Sequence, residues 1–166
     1  MIYKLSNLIK RTNKKVYVGD AETVNKGFNR GLFCARPIKK GEVAFIAKGE
    51  KYQENVTTLE ASMNHRDAIG LTPDTWLDPF QNNPLRYINH SCNPNLGIKG
   101  LVSFVALRNI KKDEHLTIDY SITECDKLWN FKIQTGGNCL CGEKNCRKVI
   151  KSIQFLPLET YKKYLP

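Results

Sequence analysis

The stretch Arg86-Tyr87-Ile88-Asn89-His90-Ser91-Cys92-Asn93-Pro94-Asn95 decides how the rest of the chain is read. Polar side chains this dense, punctuated by Asn-Pro, do not make an ordinary buried strand. Asn89 and His90 place donors and acceptors side by side, which suits a polar ligand; the plain alternative is an Asn-rich turn. Downstream lies Glu114-His115-Leu116-Thr117-Ile118-Asp119-Tyr120, an alternating strand that ends on a tyrosine. Taken alone it is an edge strand with a packed aromatic at its end.

A third cluster follows in Asn138-Cys139-Leu140-Cys141-Gly142-Glu143-Lys144-Asn145-Cys146-Arg147. Three thiolates so close together, with a glycine to relax the turn, can converge on one tetrahedral ion, whereas neighbours at i and i+2 are badly placed to bridge each other. A zinc site needs a fourth ligand, and Cys92, Cys125, Cys34 or a histidine could supply it. Free thiols rank below a metal site, and disulfides below free thiols, because Met1 to Lys15 carries no apolar signal-peptide core. No apolar run is long enough for a membrane span. A soluble intracellular protein, cytoplasmic or nuclear, with no membrane partner, is the expectation.

Around these motifs the chain is 166 residues long with a net charge of +10. That is the size of one domain, large enough to bury a core without disulfides. Short β-type runs recur at Val16–Gly19, Gly31–Cys34, Val43–Ile46 and Val102–Leu107, while Lys39-Lys40-Gly41-Glu42 and Lys111-Lys112-Asp113-Glu114 read as turns between strands. Thr57 to Met63 is readable as helix or strand, and Pro157 can open a short C-terminal helix through Tyr161 and Tyr164. The glycines include no G-x-G pair, so neither a Rossmann fingerprint nor a P-loop is present. The fold class is mainly β, with little helix. Lys4, Lys10, Arg11, Lys14 and Lys15 form a basic lead-in, and Asp113, Glu114, Asp119, Glu124 and Asp126 an acidic run.

Taken together, the R-Y-I-N-H-S-C-N-P-N run, the E-x-L-T-x-D-Y strand and the C-x-C-G-x3-C-R tail resemble the SET-domain family of protein lysine methyltransferases, in order and in spacing. The resemblance starts near Lys26-Gly27-Phe28-Asn29-Arg30-Gly31-Leu32-Phe33, takes in Trp76-Leu77-Asp78-Pro79, and runs to about Ile150. It implies a β-clip fold of several short-stranded sheets with a knot-like C-terminal segment and a small zinc-binding post-SET tail. The expected arrangement is a compact one without a pre-SET cysteine cluster. The corresponding division is a basic extension over 1–15, a SET domain over 16–125, a post-SET segment over 126–150 and a C-terminal helix over 151–166.

The resemblance also implies roles. Asn29, Arg30, Gly31, Asn89 and His90 would hold S-adenosylmethionine, with Trp129 and Leu140 covering it. Tyr120 would be the catalytic tyrosine and would also touch the cofactor, and Tyr87 and Ile118 would line the lysine channel. Cys92 would join Cys139, Cys141 and Cys146 around one structural zinc ion. Two positions depart from the family pattern: Asn29 stands where its first turn usually has glycine, and Ile118 where Phe or Tyr often tunes the number of methyl groups. The implied activity is methylation of a lysine in a basic protein, a histone or another nucleic-acid-associated protein, with the acidic run attracting the substrate and the basic N-terminus making a non-specific nucleic-acid contact. The rival is a catalytically silent, zinc-stabilised module of the same fold that binds a peptide or nucleic acid. Oligomeric state is not legible.

Overall fold

The computed structural model describes residues 15–21, 30–53, 67–124 and 138–164. Within them, ten short strands fall into three small sheets. The first holds β1 (Val16–Gly19), β2 (Gly31–Cys34), β10 (His115–Ile118) and β7 (Asn89–His90), in that order. The second is β3 (Val43–Ile46), β9 (Ser103–Ala106) and β8 (Leu96–Lys99); the third is β4 (Gly49–Gln53), β6 (Thr75–Pro79) and β5 (Ile69–Thr72). The mainly β expectation is met, and the four runs picked out in the sequence are β1, β2, β3 and, trimmed at both ends, β9. The ambiguous stretch Thr57 to Met63 lies outside the described residues.

Among the described residues nearly all strand pairing is antiparallel, with one exception that matters. β7 runs parallel to β10, with Asn89 opposite Thr117 and His90 opposite Ile118. Ser91 N–H continues the ladder to the Ile118 carbonyl at 2.8 Å. The polar motif and the strand leading to Tyr120 are therefore neighbours by backbone hydrogen bonding.

The core joins the sheets. Leu32, Leu96, Phe104 and Leu116 are fully buried, and Ile118 and Phe45 almost so. Phe45 and Phe104, from β3 and β9, stack with centroids 4.5 Å apart and planes 9° apart. Entry to β7 is set by Asn83, whose side chain accepts the Leu85 N–H at 3.0 Å and caps the 3-10 turn Pro84–Tyr87.

Two turns are built alike. Arg36-Pro37-Ile38-Lys39-Lys40-Gly41-Glu42 and Arg108-Asn109-Ile110-Lys111-Lys112-Asp113-Glu114 share the pattern R-x-I-K-K-x-E. In each the glutamate accepts the N–H of the first lysine and pairs with the arginine. The residue before each glutamate is left-handed, Gly41 at φ 80° and Asp113 at φ 61°. Ile38 and Ile110 bridge one another, exchanging hydrogen bonds of 3.0 and 2.8 Å.

The C-terminal residues return to the sheets. The expected helix is one short α-helix, Leu158–Lys162, capped by Pro157, after a 3-10 turn at Ile153–Phe155. Buried Tyr164 follows it and packs so closely on β8 that a Cβ on Gly97 would lie 2.6 Å from the Tyr164 carbonyl oxygen. Among the described residues no helix is long and apolar enough to cross a membrane.

Candidate active site and metal centre

The parallel register brings the candidate residues together. Asn89 is buried, and its Nδ2 donates to the Arg30 carbonyl at 3.0 Å and lies 3.2 Å from His115 Nε2. Gly31 is required there: a Cβ would sit 2.6 Å from His115 Nε2 and 3.1 Å from Asn89 Nδ2. His115 stacks on Phe33 at 5.0 Å, and burial holds its pKa below the ordinary value, so the ring is neutral at pH 7. One corner thus gathers the Asn89 amide of β7, the His115 imidazole of β10 and the backbone carbonyl of Arg30, the residue before β2. Asn29, Trp129 and Cys125 lie outside the described residues, and Leu140 is exposed at 68%.

His90 is the hinge of the site. Its Nδ1 accepts the Tyr120 N–H at 3.1 Å, so the ring proton sits on Nε2, which faces Cys92 Sγ at 3.3 Å. Nδ1 also lies 3.7 Å from Asp119, but with its lone pair engaged by Tyr120 this is a contact rather than a hydrogen bond. The Tyr120 ring packs at 5.3 Å from His90, and its hydroxyl donates to the Ile88 carbonyl at 2.9 Å. Burial, and then the negative charge of Asp67, push the Tyr120 phenol above its ordinary pKa, so it stays protonated at neutral pH. Tyr87 and Tyr120 pack on the margin of the main core. Ile118 lies inside it at 1% exposure, so of the two residues expected on a channel wall only Tyr87 keeps accessible surface.

On the far face of His90, the ligand atoms of His90, Cys92, Cys139 and Cys141 all lie within 4.8 Å of one another. Cys92 and Cys139 Sγ are 3.9 Å apart. The Cys139 thiol, then the His90 ring and the Arg147 N–H, aim hydrogen at Cys92 Sγ and hold its pKa well below the thiol range, while the same pairing and burial raise that of Cys139. Three sulfurs this close suit a tetrahedral zinc ion, while His90, with its proton on Nε2, donates to Cys92 Sγ rather than offering a lone pair. Three of the four expected cysteines are in this set. Cys146, the fourth, packs against the cluster with its thiol on the Cys139 carbonyl at 3.5 Å. Cys34, one of the candidates for the fourth ligand, is a core residue, fully buried with its thiol on the Arg36 carbonyl.

Sequence reasoning missed the residues that hold this arrangement. Arg86 reaches Asp67 at 2.6 Å and Asp78 at 2.9 Å, tying the approach to β7 onto the third sheet. Asp119, fully buried, accepts the Ser121 N–H at 3.1 Å and the Arg147 guanidinium at 2.6 Å. A buried carboxylate needs such a partner, so Asp119 beside Tyr120 was a signal that a cation had to come from elsewhere in the chain.

The acidic run is corrected by the same observations. Glu114 is paired with Arg108, Asp119 with Arg147, and Glu124 is 8% exposed; Asp126 lies outside the described residues. Of the described members Asp113 is the most exposed, at 60%, and it accepts from the Tyr17 hydroxyl, while Glu114 keeps 26%. Glu114 and Asp119 are taken up by internal pairing and Glu124 by burial, which leaves the described part of the run without a continuous acidic patch.

A parallel β7–β10 pair that sets Asn-His beside a terminal tyrosine, backed by a cysteine cluster, defines a class. Residues 29–121 match the SET domain family, and the chain belongs to it. It is 33% identical over 150 residues to the histone-lysine N-methyltransferase trithorax of Drosophila virilis, covering 82% of this chain and 4% of that protein. It is 32% identical over 160 residues to human histone-lysine N-methyltransferase 2B, covering 86% and 5%. The chain therefore spans only a small part of these relatives' length. In structure it resembles the PRC2 of Chaetomium thermophilum, solved in an autoinhibited conformation bound to S-adenosylmethionine, with TM-score 0.56 and 23% identity over 69% of this chain and 16% of that one.

Proposed function

We propose that the protein is an S-adenosylmethionine-dependent protein-lysine N-methyltransferase acting on a basic, histone-like protein. The observation that carries this reading is the two-residue strand Asn89–His90, whose first side chain is held against the Arg30 carbonyl beside Gly31 and whose second accepts the Tyr120 N–H. The relatives named above as histone-lysine methyltransferases support it.

Arg30 and Gly31 through their backbone, Asn89 and His90 would hold the cofactor, with Asn29, Trp129 and Leu140 completing its surroundings. The amide, imidazole and carbonyl at this corner fit its amino-acid group, which needs both donors and acceptors. S-adenosylmethionine supplies a methyl group on a positively charged sulfur.

The chain's own residues then have two tasks. A lysine amine, with a pKa of about 10.4 in water, must lose its proton, and an apolar wall favours the neutral form by desolvation. Tyr87 would contribute to that wall. Tyr120 would place the amine. Its hydroxyl hydrogen is committed to the Ile88 carbonyl, so its oxygen can only accept an N–H from the substrate, which turns the amine lone pair away from the tyrosine. Held protonated, Tyr120 orients rather than acting as base. The cysteine cluster would bind one structural zinc ion with no open position.

The test is transfer of labelled methyl from S-adenosylmethionine to a mixture of basic proteins and peptides. The expected outcome is label on lysine. No transfer to any substrate, with peptide binding retained, would favour the silent binding module.

A further inference from the structure

We infer that Arg147 is a positioning residue for Tyr120, acting through Asp119 and making the geometry of the tyrosine depend on the docked cysteine tail. The inference rests on the proposed lysine methyltransferase reading for its catalytic consequence, but its structural content does not.

Arg147 belongs to the tail by its backbone and to the site by its side chain. Its N–H points at Cys92 Sγ at 3.4 Å, one residue after Cys146. Its Nη2 lies 2.6 Å from Asp119 Oδ1 and 3.3 Å from Ser121 Oγ. It thereby grips the residues on both sides of Tyr120. Asp119 in turn caps the 3-10 turn Tyr120–Thr123 by accepting the Ser121 N–H on the same oxygen.

Two hydrogen bonds anchor Tyr120 at its ends, N–H to His90 and hydroxyl to the Ile88 carbonyl. Both are directional, so a small rotation of the turn would lengthen both together. What prevents that rotation is Asp119, which has no exposed surface, whereas Arg147 keeps 23%. A carboxylate with no access to water stays where its cation is. The tail therefore does more than cover the site. Its docking supplies the counter-charge that holds the turn in register.

The experiment compares wild type, Arg147→Gln, Arg147→Lys and the double variant Asp119→Asn/Arg147→Gln, each first assayed for bound metal and S-adenosylmethionine affinity. Two readouts follow: kcat against KM for a basic peptide, and amide hydrogen exchange at Tyr120 and Ser121. With metal and cofactor affinity retained, Arg147→Gln is expected to lower kcat by about tenfold or more, with little change in KM, because misplacement of a positioning group acts on the reacting geometry. Exchange at Tyr120 and Ser121 should quicken while β8 and β9 stay protected, and Arg147→Lys should recover most of both. If Arg147→Gln does not fold, the double variant, which buries no unpaired charge, carries the same expectations. Unchanged kcat and unchanged exchange in the folded variant would overturn the inference, as would a loss of kcat that merely tracks loss of metal. Should wild type transfer no methyl group at all, the methyltransferase reading fails, and the exchange readout still decides whether Arg147 holds the turn.

Discussion

The β-frame around Asn89 and the tail from Asn138 to Ile150 are held by different forces. The frame has three hydrogen-bonded sheets and a core in which Leu32, Leu96, Phe104 and Leu116 have no exposed surface. The tail has no strand pairing of its own, and its buried residues are Cys139 and Ile150, packed against Cys92. Apolar area can hold the first, while the second needs the sulfur cluster and the Arg147–Asp119 pair. The candidate site lies on the seam, with His90 facing Tyr120 on one side and Cys92 on the other.

Metal removal should divide the two most sharply. We expect the purified protein to contain one zinc ion. A strong chelator, or Cys139→Ser, should release it, expose the tail to limited proteolysis, and leave the frame's strand signal in circular dichroism largely intact. A protein with no metal, or a frame that melts together with the tail, would break the comparison.

The reverse perturbation is Phe104→Ala, which removes one ring of the Phe45–Phe104 stack. It should destabilise the frame by roughly 3–5 kcal/mol in urea unfolding, with metal retained in whatever fraction stays folded.

Acid probes the twin turns of the frame. Hydrogen bonds from Arg36, Lys15 and the Lys39 N–H lower the Glu42 pKa from 4.5 to about 2. The unfolded chain therefore binds more protons than the folded one in this range. The stabilisation is complete above about pH 4.5 and is lost as the pH falls toward 2. Denaturation midpoints of Glu42→Gln should fall below wild type at pH 6 and converge with it near pH 2. Glu114 is also lowered, but burial opposes its partners, so Glu114→Gln should show a weaker pH dependence.

The smallest effect expected is at Gly41. Its φ of 80° suits glycine, and a Cβ added there would meet nothing within 4 Å, so Gly41→Ala should cost only about 1 kcal/mol of backbone strain in the same unfolding assay.

Much of the frame was legible in the sequence because its strands are short β-branched or aromatic runs bounded by turn residues, as at Val43–Ile46. Asn89–His90 as a strand was not, since a two-residue parallel pairing leaves no periodicity to read. The site residues were named by motif, but their connections were hidden. Nothing local in Asn-Cys-Arg says that Arg147 reaches a buried aspartate 28 residues earlier. The acidic run misled for a related reason: sequence shows charge and not what neutralises it.

The proposed chemistry turns most directly on Tyr120. Transfer of labelled methyl to a basic peptide should be measured for wild type and Tyr120→Phe, both shown to be folded, to carry metal and to bind S-adenosylmethionine equally. The prediction is lysine methylation by wild type and a loss of about a hundredfold or more in Tyr120→Phe, the size expected when a group that orients a reactant is removed. Equal transfer by both proteins would contradict it.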